Sequence, residues 1–351
     1  MSHLTYAEAG FVGLLQGITE LFPVSSLGHA VLIPAVVGGQ WAQDLNVSES
    51  ESPYLAYIVG LHVATATAMI IYFWRDWLRI IKGFFLSLGH VIAPAPGTNR
   101  FEPQNTDQAL AWMIVLATIP VGLAGLVLEH DFRVYFSKPI LTSCFLFVNG
   151  LILLAGERAR RHHADMEAQE IAADLQAVTE RQKASVAAGA GAAGGGGGRH
   201  SSGQRAMKQQ HASLAVEADQ RIVRRTGWLG AFLLGASQIL ALLPGISRDG
   251  TVMVAGMFRG LSRQDAARFS FLLSAPVILA AGVLKIPDLT GPLGAGIRGP
   301  ILFGSLVSGI SAFFALRFLV RYFSDPKRTL TPFAIYCLAA GLGAFIYLSV
   351  R

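Results

Sequence analysis

Apolar residues run through this chain in long blocks, not in the short alternation of a half-buried strand. Clean blocks cover residues 54–74, 109–128, 139–156, 269–285, 299–320 and 330–349. Each has about the 17–25 residues that a helix needs to cross a hydrocarbon core. Two further blocks are interrupted. Residues 8–37 carry Glu20, Pro23, Gly28 and Pro34; residues 227–258 carry Pro244, Gly245, Arg248 and Asp249. Irregular backbone at membrane depth is tolerated only where protein or a water-filled cavity surrounds it. Both interrupted blocks are therefore expected to be re-entrant helical hairpins.

Composition supports the membrane reading. Of the 351 residues, 52% are hydrophobic and 14% charged, with a mean hydropathy of +0.48. A soluble domain has about 25% charged residues. A disordered chain, a disulfide scaffold and an ordinary cytosolic enzyme are excluded. Met1 to Ala9 lack the basic start of a cleavable signal peptide. Cys144 and Cys337 lie inside apolar runs without metal-ligand spacing and read as packing residues. The net charge of +6 points to basic cytoplasmic loops and not to nucleic-acid binding.

Three parts follow. Residues 1–156 and 227–351 are membrane repeats. Residues 157–226 are a polar, low-complexity insertion with a Gly/Ala run at 187–198. Residues 157–183 suit a polar helix continuing the preceding span; the rest reads as a solvated loop. With residues 75–108 placed inside, the basic segments 259–268 and 321–329 also fall inside. The loops 38–53, 129–138 and 286–298 fall outside with few basic residues, as the positive-inside rule requires. Both termini then lie outside. Each half reads as a hairpin followed by three spans, in opposite orientations. The expected fold is therefore an all-α polytopic membrane protein built as an inverted repeat, with its site where the hairpins meet near the midplane. The stretch QGITELFPVSS around Pro23 weakly resembles GASQILALLPGIS around Pro244.

Ionisable residues inside membrane segments cost several kcal/mol (about 3 on insertion scales) and need a reason. In the first hairpin, Gln16 and Glu20 stand four apart and share a helix face. Ser25, Ser26, Gly28 and His29 follow Pro23. A carboxylate, hydroxyls and an imidazole can supply a metal ligand, a nucleophile and a general acid or base. A polar turn that caps its own backbone is the plainer alternative. The second hairpin holds Pro244, Gly245, Ser247, Arg248, Asp249, Gly250 and Thr251. A glycine turn leading into a helix N-terminus cradles anions, and arginine matches phosphate oxygens. The plainer alternative pairs Arg248 with Glu20 or Asp249. His62 reads first as a helix-packing histidine. Trp74, Trp77 and Trp112 read as interfacial belt residues, Glu129 and Asp131 as a solvated span end. Gly122–Gly125 and Gly341–Gly343 read as close helix packing.

The two motifs, their order and their separation resemble those of the undecaprenyl-diphosphatase family, which includes the bacitracin-resistance proteins. Gln16 to His29 is similar to that family's Glu/Gln-Gly-x-Thr-Glu-x-x-Pro-x-Ser-Ser-x-Gly-His. Pro244 to Thr251 is similar to its Pro-Gly-x-Ser-Arg-Ser-Gly-x-Thr. The stretch Phe269 to Pro276 and Phe73-Trp74-Arg75 extend the likeness over most of the chain outside 157–226. Leu27 stands where members often carry Thr, Ile246 where Thr or Phe is common, Asp249 where Ser is usual, and His62 where Gln is expected. Leu27 removes a hydroxyl from the turn, and Asp249 adds a carboxylate beside Arg248.

The resemblance implies hydrolysis of undecaprenyl diphosphate at the outer face of a bacterial cytoplasmic membrane. It implies Glu20, Ser26, His29 and Arg248 as catalytic residues. Gln16, Ser25, Gly245, Ser247, Gly250 and Thr251 would bind substrate. Glu20 would hold a divalent cation, magnesium or calcium. Serine attack and direct water attack both remain open at this point. The expected partners are the polyprenyl diphosphate and the bilayer, with a homodimer an open alternative. A PAP2-type lipid phosphatase is disfavoured, because no Lys-x6-Arg-Pro stretch occurs and Val254 stands where its second histidine belongs. An isoprenoid-phosphate flippase, or a catalytically weakened paralogue, is the remaining rival.

Overall fold

The computed structural model describes residues 4–45, 53–93, 99–186, 203–284 and 297–350. The Gly/Ala run at 187–198 lies outside them, as do most of the loop 286–298, part of the loop 38–53 and the side chains of Glu129 and Asp131. Among the described residues there is no strand. The helices are α1 (Tyr6–Thr19), α2 (Ser26–Val37), α3 (Gly39–Asp44), α4 (Pro53–Tyr72), α5 (Trp74–Ile92), α6 (Thr106–Phe136), α7 (Pro139–Val186) and α8 (Gly203–Ser237). A short 3-10 turn, Gln238–Leu242, leads to α9 (Arg248–Phe258), α10 (Arg263–Leu284), α11 (Arg298–Ser324) and α12 (Thr331–Val350). Parts of α6, α7, α10, α11 and α12 are long and apolar enough to cross a membrane. The expected span at 54–74 is α4, apolar over Gly60–Tyr72. The chain is thus a polytopic helical membrane protein.

Both interrupted blocks are broken where the sequence places proline. Helix α1 starts on a capping box: Thr5 Oγ accepts the Glu8 N–H at 3.2 Å, and Glu8 Oε2 accepts the Thr5 N–H at 2.9 Å. It gives way at Glu20, ahead of Pro23, because a proline disfavours the helical conformation of its predecessor. Helix α8 bends at Gly227, which has φ +62. Its second part runs into the 3-10 turn and then Pro244. Helices α1 and α8 each approach a long span closely: α1 packs on α11, and α8 on α6. A Cβ at Gly17 would lie 2.3 Å from the Ser308 carbonyl oxygen, and one at Gly235 2.0 Å from that of Ala117. Neither position takes a larger residue without moving a helix.

Three expectations change. Gly122 and Gly125 do not pack a helix: nothing lies within 4 Å of a Cβ built there, and the same holds for Gly343. These glycines lie on outward helix faces. Gly341 does pack closely: a Cβ there would stand 2.6 Å from the Phe147 nitrogen. The basic segment 75–108 contains α5, with Leu78, Ile81, Phe85 and Leu86 exposed on one face. The insertion is helical wherever it is described. Helix α7 continues unbroken to Val186, and α8 begins at Gly203.

The end of the insertion is buried, because its charges are paired. Asp219 is fully buried. Its Oδ1 accepts from Arg268 Nε at 2.8 Å, and its Oδ2 from Arg79 Nη2 at 2.7 Å. Arg268 and Arg79 both also bind Asp76, and Arg79 binds Asp107. One cluster therefore ties α5, α6, α8 and α10. Burial pushes the Asp76 carboxyl up, but the guanidiniums of Arg268 and Arg79 outweigh it and hold it below its ordinary value. Nearby, Glu157 binds Arg263 and accepts the Leu330 N–H at 3.2 Å, and Arg221 holds Asp265 at 2.9 Å.

Removing one partner of a buried ion pair costs about 3–5 kcal/mol. Asp219→Ala is expected to lower thermal stability in detergent by about that much, while Asp325→Ala in the exposed Asp325–Arg328 pair stays within about 0.5 kcal/mol. Equal shifts would contradict a structural role for the cluster. A depressed carboxylate contributes stability that is present above its ordinary pKa and is lost as pH falls through the lowered one. Melting should therefore weaken below about pH 4, and less so in Asp76→Asn.

Candidate active site

The two broken blocks meet. Gly28, in the first turn of α2, lies against Gly245, and a Cβ on Gly28 would stand 2.9 Å from the Gly245 Cα. Gly245 has φ +112, which side-chain-bearing residues rarely adopt. Ser25 caps α2 at φ +69, and among the described residues no other non-glycine has positive φ. Its Oγ accepts the Gly28 N–H at 3.2 Å and the Gly245 N–H at 3.1 Å. One hydroxyl thus serves both loops. Asn149 of α7 does the same from the other side: its Nδ2 donates to the Pro23 carbonyl at 2.9 Å, and its Oδ1 accepts the Ser247 N–H at 3.0 Å. The N-termini of α2 and α9 consequently converge. Their unpaired N–H groups and dipoles favour an anion between them.

Gln16, Glu20 and Ser26 lie together. Gln16 Nε2 donates to Glu20 Oε2 at 2.8 Å, and Ser26 Oγ donates to the same oxygen at 2.5 Å. His62, from α4, joins them. Its Nε2 stands 3.3 Å from Gln16 Nε2 and 3.4 Å from Glu20 Oε2. Its Nδ1 lies 2.8 Å from the Ile58 carbonyl oxygen. A carbonyl only accepts, so Nδ1 carries a proton. The neutral ring then accepts from Gln16, and the protonated ring pairs with Glu20. Arg248 opens α9 within electrostatic reach of Glu20 and Asp249. Its Nη1 is buried and has no hydrogen-bond partner among the described residues.

Other expected site residues are committed to shaping the loops. Ser247 Oγ caps α9 by accepting the Gly250 N–H at 3.1 Å. Thr251 Oγ1 donates back to the Arg248 carbonyl at 2.9 Å. Asp249 turns away toward α10, where Ser270 and Ser274 each donate to its Oδ1 at 2.6 Å. The extra carboxylate is therefore satisfied by two serines four residues apart on one helix face. His29 is buried, with its hydrogen bonds directed to the Ser25 carbonyl at 2.7 Å and the Tyr336 hydroxyl at 2.7 Å. Neither goes to Ser26 or Glu20. Leu27 packs with the cluster of Val12, Ala30 and Ile58.

Asn149 and Tyr336 were not picked out from the sequence, and His62 was read as packing. A lone Asn inside an apolar span was the available signal for the first. Tyr336 carries none, because aromatic residues are ordinary in spans.

No cluster of three His, Cys, Asp or Glu that would cage a metal occurs among the described residues. The donors do fit a cation shared with a ligand. Magnesium is commonly held by one or two carboxylates plus substrate phosphates, and Glu20 beside the amide of Gln16 offers that kind of donor set.

Known proteins resemble this chain over nearly its whole length. The sequence model of a family described as bacitracin resistance protein BacA matches residues 9–189 and 204–343. An undecaprenyl-diphosphatase of Mycolicibacterium paratuberculosis is 52% identical over 350 residues, covering 100% of this chain and 99% of the relative. An undecaprenyl-diphosphatase 2 of Frankia alni is 50% identical, with 97% of each chain covered. An undecaprenyl-diphosphatase of Granulibacter bethesdensis is 34% identical over 97% of this chain and 96% of the relative.

Ser25→Ala removes an N-cap worth about 1 kcal/mol and strands the buried Gly245 N–H, which adds about 1–3 kcal/mol. The expected loss is about 2–4 kcal/mol in thermal or denaturant unfolding. A loss below about 0.5 kcal/mol would show that the hydroxyl does not join the loops.

Proposed function

The chain belongs to the bacitracin resistance protein BacA family, and from that premise we propose how its converging loops carry out the chemistry. The protein is an undecaprenyl-diphosphatase. It hydrolyses undecaprenyl diphosphate to undecaprenyl phosphate and inorganic phosphate, which recycles the lipid carrier of cell-wall synthesis and gives bacitracin resistance. The observation that carries the mechanism is the 2.5 Å bond from Ser26 Oγ to Glu20 Oε2, beside an arginine whose buried Nη1 has no described partner.

Phosphoryl transfer asks the protein mainly to position the phosphate and offset its charge. Arg248 and the N-termini of α2 and α9 bind the diphosphate. Gly245, Ser247 and Gly250, whose N–H groups go to Ser25, Asn149 and Ser247, shape the turn that presents Arg248, and Thr251 helps to hold it. Ser26 Oγ attacks the terminal phosphorus as its proton passes to Glu20. The bond to the bridging oxygen breaks, and undecaprenyl phosphate departs. Glu20 passes that proton to the departing phosphate. The restored carboxylate then takes a proton from water as the water oxygen attacks phosphorus, and the bond to Ser26 Oγ breaks as Glu20 returns a proton to it. Gln16 and His62 orient Glu20. His29, held between the Ser25 carbonyl and the Tyr336 hydroxyl, fixes the turn instead of deprotonating Ser26. A divalent cation held by Glu20, Gln16 and the diphosphate would offset further charge. A groove of about 490 Å³ between α1 and α11, lined by Leu14, Ile18, Phe22, Ile310 and Phe314, suits the first isoprene units.

The same reading makes the two hairpins re-entrant and the halves an inverted repeat. Pairings that exchange with the halves support it: α1 packs on α11 as α8 packs on α6, while α4 meets α10 and α7 meets α12. Positive charge on the α5, α8 and α10 side supports a cytoplasmic position for that side, with the site open outward from the bacterial inner membrane.

Detergent-purified protein should release phosphate from undecaprenyl diphosphate in the presence of divalent cation. Arg248→Ala, Ser26→Ala and Glu20→Gln should each lose at least about a hundredfold in turnover while melting like the parent. Full turnover by folded Arg248→Ala would overturn the assignment. A folded parent that releases no phosphate would favour the carrier reading.

A further inference from the structure

Asn149 is fully buried, well inside Pro139–His162, the part of α7 long and apolar enough to cross a membrane. It uses its whole amide. One hydrogen of Nδ2 goes to the Pro23 carbonyl at 2.9 Å and the other to Cys337 Sγ of α12 at 3.3 Å, while Oδ1 takes the Ser247 N–H at 3.0 Å. The first contact lies three residues before Ser26, the second one residue before Arg248. Among the described residues, no other side chain outside the two motifs hydrogen-bonds the backbone of both. A carbonyl and an N–H at membrane depth have no water to fall back on, so the amide also answers two buried backbone groups that would otherwise go unpaired.

We propose that Asn149 is a positioning residue for the diphosphatase reaction, fixing through its two-sided hydrogen bond the distance between the nucleophile loop of Ser26 and the phosphate-binding loop of Arg248. The inference rests on the assignment of those two residues above. Only an amide, or a neutral carboxylic acid, donates to one neighbour and accepts from the other at this size. An ionised aspartate accepts from Ser247 but sets oxygen against the oxygen of Pro23. A leucine satisfies neither. Each loop can still hold its own part of the substrate when the spacing is lost, so the defect belongs in kcat more than in KM. Misplacement by about 1 Å costs on the order of a hundredfold.

The test measures kcat and KM for phosphate release from undecaprenyl diphosphate by parent, Asn149→Leu and Asn149→Asp across pH 5 to 9, beside thermal melting of each. The parent must turn over; if it does not, the functional reading fails first and separately. For folded Asn149→Leu the expected result is a kcat down about a hundredfold at every pH, with KM within a few-fold. For Asn149→Asp the ratio of its kcat to the parent's should climb as pH falls, because the protonated acid donates to Pro23 again. Two results overturn the proposal. One is parent-like kcat in a folded Asn149→Leu. The other is Asn149→Asp losing activity equally at all pH, which would reduce Asn149 to packing. If the leucine variant does not fold, the pH profile of the aspartate variant decides alone.

Discussion

The site depends on one constraint: irregular backbone inside a membrane must find its hydrogen bonds within the protein. Both loops break helices among spans long and apolar enough to cross a membrane, and each leaves N–H groups and carbonyls without helical partners. The chain answers with side chains that serve two loops at once. Ser25 accepts one N–H from its own helix start and one from Gly245, and holds φ +69 to do so. Asn149 bridges Pro23 and Ser247. Satisfying the backbone and building the site are therefore one event. The loops cannot be completed separately, and their completion brings Ser26, Glu20 and Arg248 into one neighbourhood.

That coupling explains the division of labour among the motif hydroxyls. Ser25, Ser247 and Thr251 bond backbone groups, while the Ser26 hydroxyl reaches a carboxylate. The glycines work the same way, since Gly28 and Gly245 permit the approach that the hydroxyls then lock. Around this centre the packing is tight where elements cross and open where they face outward. Elsewhere, the cluster of Asp219, Arg268, Arg79, Asp76 and Asp107 ties four helices together with charges.

Much of this was legible in the sequence, because its logic is local. Helix length, the proline breaks and the four-residue spacing of Gln16 and Glu20 are properties of short windows. The family's motif pair then named the candidate residues. What escaped is what depends on distant partners. Asn149 acts on residues 126 and 98 positions away, and Tyr336 on one 307 away. His62 looked like packing because its partners lie on α1. Asp219 looked like loop because its cations, Arg79 and Arg268, belong to other elements. The glycines at 122 and 125 misled for the converse reason: small residues permit close packing, but a partner helix must be there to use it.

The central claim is that Ser26 takes the phosphoryl group while Glu20 takes its proton. The stereochemistry at phosphorus tests it most directly. Substrate whose terminal phosphorus is made chiral with sulfur and one oxygen isotope would be hydrolysed in water carrying another isotope. Two successive in-line displacements, on Ser26 and then on water, predict net retention of configuration. Net inversion would mean a single attack by water, and would contradict the account of Ser26 as nucleophile.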